Sequence, residues 1–203
     1  MRPVSTSYLD SGRMNQKQRT RDHLLAAART LIEGGDTPRV EDVARESGIS
    51  RTTAYRYFPT QAELLAAAFP ETVAASLLPD PAPEDVGDRV DTVVTAIIET
   101  VERTEPQQRA MLRLSLGTDE HELPLRQGRA IGWLSEALDP LRADVGDDAI
   151  HRLAVALRSV CGIETRVWLG DIAGLGREDI RELQLWLARA VLARSLDEPP
   201  PTG

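Results

Sequence analysis

The run SRTTAYRYFPTQAELL, residues 50–65, places Arg51, Tyr55, Arg56 and Tyr57 within seven consecutive positions, with Thr52 and Thr53 among them. These side chains suit one kind of chemistry. A guanidinium is a planar fork of donors that pairs with phosphate oxygens or with the O6 and N7 edge of guanine. Serine, threonine and tyrosine hydroxyls donate to phosphate oxygens. No Ser/His/Asp or paired-carboxylate spacing accompanies them, so the stretch points to recognition of a polyanion and away from catalysis. His23, His121 and His151 lie far apart and show no metal-ligand spacing. The single cysteine, Cys161, excludes an intrachain disulfide and a multi-thiol metal cluster, and reads as an inert buried thiol. Neither a metal nor a cofactor is expected.

Charge distribution agrees with a polyanion partner. The chain carries a formal net charge of -8, yet residues 1–60 hold ten Arg/Lys against seven Asp/Glu, a net of +3, and residues 61–203 hold 14 against 25, a net of -11. A mildly basic end on an acidic body is the pattern of a binding module attached to a part that does not bind. With 203 residues, 41% hydrophobic and 28% charged, a packed core is available. No run approaches the roughly 18 apolar residues of a membrane span. The opening MRPVSTSYLDSGRMNQKQR lacks the apolar stretch of a secretory signal. A cytoplasmic protein without membrane contact is expected.

The elements that must position the basic stretch are helices. Residues 1–15 read as a flexible tail. Leu24, Leu25, Ala28, Leu31 and Ile32 recur at helical spacing between Gln16 and Glu33, and Gly34-Gly35 ends the run. Val40, Val43 and Ala44 share one face of a short helix, started by Thr37-Pro38. Ser50 is placed to cap a third helix reaching about Tyr57, and Thr60-Gln-Ala-Glu63 is a capping box opening a fourth through Leu78. Longer amphipathic helices are expected near 84–104, 106–117, 124–139, 147–170 and 177–196, followed by a disordered tail from 198 to 203. No stretch alternates with period two. The fold class is all-α with about nine helices.

Val40 to Phe58 therefore has the layout of a helix-turn-helix, with Gly48 able to take the positive φ of the turn. Plain packing of two helices has the same layout. Ile49 and Phe58 can turn inward onto Val43 and Leu24, leaving Arg51, Thr52, Thr53, Tyr55 and Arg56 around the outer surface. At the start of such a helix, side chains reach base edges when the helix lies in the major groove of DNA.

Gln18 to Phe69 resembles the N-terminal domain of the tetracycline-repressor (TetR) family of transcriptional regulators. The family pattern is a helix ending in Gly, then a run like TVxDIAxxAGVSxGTLYxYFxSKEELL, and this chain shows RVEDVARESGISRTTAYRYFPTQAELL. The resemblance implies a DNA-binding domain at 16–62, with the helix-turn-helix at about 40–58, and a ligand-binding and dimerisation domain at 63–197. It implies base contacts from Arg51, Thr52, Thr53 and Arg56, and backbone contacts from Arg39, Ser50, Tyr55, Tyr57, Thr60 and Gln61. Arg39, Thr52, Ala54 and Gln61 depart from the residues common at their positions; Gln61 replaces a lysine that would grip phosphate.

The resemblance further implies a homodimeric, non-enzymatic repressor, released from a palindromic double-stranded DNA operator by an unknown small-molecule effector. Met111, Arg113, Leu114, Trp133, Cys161, Glu164 and Trp168 are candidates for the pocket, with His121 a further polar contact. Leu153, Leu157, Val160, Leu183, Leu187 and Val191 are candidates for the dimer interface, because the last two long helices are apolar over more than one face. A constitutive DNA-binding protein without effector and an all-α enzyme are the alternative classes.

Overall fold

A computed structural model describes residues 6–68, 74–117 and 129–198. Among the described residues all regular structure is helical, and the chain divides into two compact units, residues 1–71 with 113–125, and residues 72–112 with 126–203.

In the first unit, α1 (Thr6–Glu33) buries Leu24, Leu25, Ala28 and Ile32. It begins ten residues before the start expected from apolar periodicity. Once a packed face has nucleated a helix, each further turn adds one hydrogen bond per residue fixed and needs no apolar stripe of its own. Gly35, at φ 93°, ends it, and the Asp36 N–H donates back to the Leu31 carbonyl at 3.1 Å. α2 (Val40–Ser47), α3 (Arg51–Tyr57) and α4 (Gln61–Ala68) follow. α4 buries Leu64, Leu65 and Ala68 and packs on α1, where Arg29 Nε donates to the Ala68 carbonyl at 2.5 Å. α4 thus packs within the first unit. Helix does not continue to Leu78. Residues 74–85 are non-helical, and Pro79, Pro81 and Pro83 each remove a donor and push the preceding residue out of the α region.

In the second unit, α5 (Val86–Arg103) is capped by Asp85, whose side chain accepts from the Asp88 N–H at 3.0 Å. Its buried face, Val90, Val93, Val94, Ile97, Ile98 and Val101, meets Leu134 and Ala137 of α7 (Arg129–Ala137). Arg89 closes the end of α7 by donating to the Glu136 and Ala137 carbonyls at 2.8 and 3.0 Å, a favourable place for a cation. α6 (Glu105–Gly117) starts in this unit, and α8 (Arg142–Val145) is a single turn after a 3₁₀ turn at Asp139–Leu141.

The helix expected over 147–170 is broken. α9 (Asp147–Cys161) stops at Gly162, which is extended at φ -87° and ψ 176°, before α10 (Ile163–Val167), a π-helical turn at Trp168–Ile172 and α11 (Arg177–Asp197). A Cβ at residue 162 would stand 1.6 Å from Arg158 Nη1, so glycine gives room for the Arg158 side chain at the break. The buried Gln184 of α11 bridges the same break, donating to the Val160 carbonyl at 3.1 Å.

A charged cluster ties α10 to α5 and α6. Arg166, 3% exposed, donates from Nε to Glu105 at 2.8 Å and from Nη1 to Glu102 at 3.2 Å. Arg109 holds the other Glu105 oxygen at 2.8 Å and pairs with Asp171. Burial by itself raises the Glu105 carboxyl, but the Arg166 and Arg109 guanidiniums outweigh it and hold the group below the usual carboxylate range. Removing one partner from such a buried set strands the others, so Arg166→Met should cost roughly 3–5 kcal/mol in urea unfolding at pH 7. A depressed carboxyl stabilises the fold above its unfolded-state pKa and ceases to do so as pH falls through its folded value. The gap between wild type and Arg166→Met should therefore narrow on acidification below the ordinary carboxylate range. A gap constant with pH would remove the electrostatic account.

Candidate nucleic-acid interface

The basic stretch is held by a buried inner face. Val40, Val43 and Ala44 of α2 are buried, and Gly48 at φ 67° and ψ 14° reverses the chain, with the Ile49 N–H donating to the Ala44 carbonyl at 3.0 Å. Ser50 caps α3: its Oγ accepts from the Thr53 N–H at 3.3 Å, and its hydroxyl donates to Thr53 Oγ1 at 2.8 Å. Ala54 is fully buried and Phe58 nearly so, the latter under the Arg21 guanidinium at 5.6 Å. Their burial turns Arg51, Thr52, Tyr55 and Arg56 outward, and all four are exposed.

Of the base-reading candidates, Arg51, Thr52 and Arg56 share the exposed surface of α3, while Thr53 is half-buried and engaged with Ser50. The backbone-binding candidates divide. Arg39 is exposed at the start of α2, where its N–H donates to Asp42 at 3.0 Å. Ser50 caps α3 and gives its proton to Thr53, whereas Thr60 caps α4 by accepting from the Glu63 N–H at 3.1 Å, which leaves its own hydroxyl proton to donate. Tyr57 is half-buried with Arg56 above its ring at 5.7 Å.

The Gln61 amide donates to the Thr37 and Pro38 carbonyls at 3.0 and 3.1 Å, so it closes the α1–α2 loop onto α4. Tyr55 is committed as well: its hydroxyl donates to Glu41 Oε2 at 2.5 Å. The hydrogen bond from Tyr55 holds the Glu41 carboxyl below its usual range, and the same bond raises the Tyr55 phenol. Glu41, which sequence reasoning passed over, lies 14 residues from Tyr55 across the turn, and no local pattern links the two.

The pocket candidates are spread over both units. Cys161 is buried in the core of the second unit, and burial pushes its thiol up to about 11, which fits an inert group. Trp133 packs on that core and donates to the Ala74 carbonyl at 3.0 Å. Glu164 is exposed and paired with Arg158 at 3.2 Å, and Trp168 is 58% exposed. Met111 is half-buried in the second unit. Arg113 and Leu114 fall in the first, where Arg113 donates to the Gly35 carbonyl at 2.9 Å. His121 lies outside the described residues. Among the interface candidates, Leu153 and Leu157 are buried in the chain's own core against α5 and α7, because the inward face of α9 carries them; Val160, Leu183, Leu187 and Val191 are half-buried. Among the described residues no group of three His, Cys, Asp or Glu side chains could hold a metal ion, and no helix is long and apolar enough to cross a membrane.

A short, capped helix showing arginine and hydroxyl side chains behind a glycine turn defines a helix-turn-helix domain. Residues 24–68 match the family model described as "Bacterial regulatory proteins, tetR family". A TetR transcriptional regulator from Rhodococcus sp. RHA1 has a similar fold, with a TM-score of 0.53 at 19% identity over 88% of this chain and 98% of that one. A TetR-family regulator from Streptomyces coelicolor aligns at a TM-score of 0.44 and 18% identity, over 86% and 98%. No curated protein matches the sequence.

Gln61→Ala removes two donations to carbonyls and should lower stability by about 1–3 kcal/mol in thermal unfolding. It should leave affinity for a mixed-sequence duplex unchanged, because the amide is engaged with carbonyls of its own chain. Weaker binding of that duplex with unchanged stability would return Gln61 to the DNA backbone.

Proposed function

We propose that the protein is a TetR-type transcriptional regulator, a homodimeric repressor whose α3 reads a palindromic operator and which a small-molecule effector releases. The observation that carries the DNA-reading part is the exposure of Arg51, Thr52 and Arg56 on one face of a helix whose opposite face is buried through Ala54 and Phe58. Residues 16–68 form the DNA-binding part in this reading, and the later helices pair and bind effector. Pairing is supported by apolar surface on α9 and α11: Val155 is 43% and Trp186 62% exposed, beside half-buried Leu183 and Leu187. Side chains of that size left in water are favourable to cover. The effector part rests on the likeness of residues 24–68 to the TetR family model.

Selection of bound duplexes from a random-sequence pool by the purified protein tests the reading. A two-fold symmetric consensus with half-sites one or more helical turns apart is expected. If Arg51 meets a guanine edge, Arg51→Ala should cost roughly 1–3 kcal/mol per half-site, concentrated at symmetry-related positions. A uniform loss on selected and scrambled duplexes would make Arg51 a phosphate clamp. Trp186→Arg should place a charge in the interface and shift sedimentation toward monomer; an unchanged dimer would move the interface elsewhere. An effector that weakens operator binding must itself bind more weakly, by the same factor, when operator is present. Equal effector affinity with and without operator would leave a constitutive DNA-binding protein.

A further inference from the structure

Glu41 stands in the first turn of α2 and faces the reading helix with both oxygens. Oε2 accepts the Tyr55 hydroxyl at 2.5 Å, and Oε1 lies 3.7 Å from Arg51 Nη2. The Arg51 guanidinium in turn lies over the Tyr55 ring at 5.9 Å from its centre. The three side chains close a triangle on the surface. It adds little to the fold, since the Arg51 side chain is 69% exposed and the core beneath consists of Val40, Val43, Ala44 and Ala54.

The triangle treats charged and neutral partners differently. A tyrosine hydroxyl has one proton, and Glu41 accepts it, so a phosphate oxygen could bind Tyr55 only by displacing the carboxylate. A phosphate drawn to Arg51 would also stand close to the carboxylate and be repelled by it. A guanine edge carries no net charge and meets no such repulsion, and Arg51 keeps donors beyond the one nearest Glu41. On arbitrary DNA, where binding is almost wholly a matter of phosphate contacts, Glu41 therefore opposes the complex. At a site that offers Arg51 a base edge, it opposes the complex far less.

We propose that Glu41 is a specificity-determining residue, which withholds Tyr55 and Arg51 from backbone phosphate while leaving Arg51 available to a neutral base edge. The proposal rests on the DNA-binding reading above. It adds to that reading a residue on α2 that suppresses non-specific binding.

The test compares wild type with Glu41→Ala, Glu41→Gln and Glu46→Gln, using a mixed-sequence duplex and the duplex recovered by selection, at several salt concentrations. Glu46 is exposed on the same helix, so its substitution removes the same charge without touching Tyr55 or Arg51. Glu41→Ala should bind the mixed duplex several-fold more tightly than Glu46→Gln does. Its salt slope should steepen by about one for each further phosphate that the freed side chains neutralise. Affinity for the selected duplex should rise less, so that the ratio of selected to mixed binding falls. Glu41→Gln, which keeps an acceptor but loses the charge, should lie between. Ultraviolet titration should show one tyrosine deprotonating at lower pH in Glu41→Ala than in wild type, a change that loss of helix packing would not produce in isolation.

Equal effects of Glu41→Ala and Glu46→Gln would reduce Glu41 to general surface charge and overturn the proposal. So would weaker binding of the mixed duplex by both Glu41 variants, or an unmoved tyrosine titration. Failure of wild type to select any sequence would instead overturn the operator-reading function; the mixed-duplex comparison would still judge Glu41.

Discussion

The burial of two side chains, Ala54 and Phe58, governs what the first unit can present. A seven-residue helix has too few hydrogen bonds to persist alone, so α3 exists because its inner face is packed and its ends are capped. Ala54 is small enough to bring α3 close to its neighbours, and Phe58 anchors the far end beneath Arg21. Because the helix is fixed from inside, its outer side chains face water in a set register. Arg51, Thr52 and Arg56 owe their exposure to two residues that are themselves buried.

The same economy limits what is left to bind. Several groups whose type suits phosphate are already engaged in holding the domain together: Ser50 and Thr60 cap helices, Gln61 ties a loop, and Tyr55 donates to Glu41. A hydroxyl or amide that satisfies a backbone group is not idle surface, since withdrawing it leaves that group unpaired. Residue type thus overstates the binding surface, and hydrogen-bond accounting trims it. What remains is an exposed, arginine-rich face of α3, with the Ser50 and Tyr55 protons already donated within the chain.

The second unit follows a different rule. Its apolar core of α5, α7, α9 and α11 is interrupted where α9 stops at Gly162, and polar side chains repair the interruption: Gln184 satisfies the Val160 carbonyl, and Arg166 gathers Glu102 and Glu105. Buried charge of this kind favours one arrangement of its partners over others, because any rearrangement leaves a carboxylate or guanidinium unpaired. Beyond it in the chain, the π-helical turn carries the exposed Trp168 and Ile172.

By itself the sequence determined the helical class, the position of the turn at Gly48 and the start of α3 after Ser50. Each of these is local: apolar spacing of three and four, a glycine where φ must be positive, a serine where a helix starts. The family resemblance lay in the same continuous stretch, and residues 24–68 match the family model there. Tertiary structure alone decided which candidates are spent. Gln61 meets carbonyls 23 and 24 residues away, Tyr55 meets Glu41, and Leu153 and Leu157 face their own core. A helical repeat shows that a face is apolar but not whether it packs on the same chain or on a second one. The break at Gly162 likewise escaped the sequence, because the apolar pattern continues through it while the contacts that meet the break, such as Gln184 on the Val160 carbonyl, come from a distant helix.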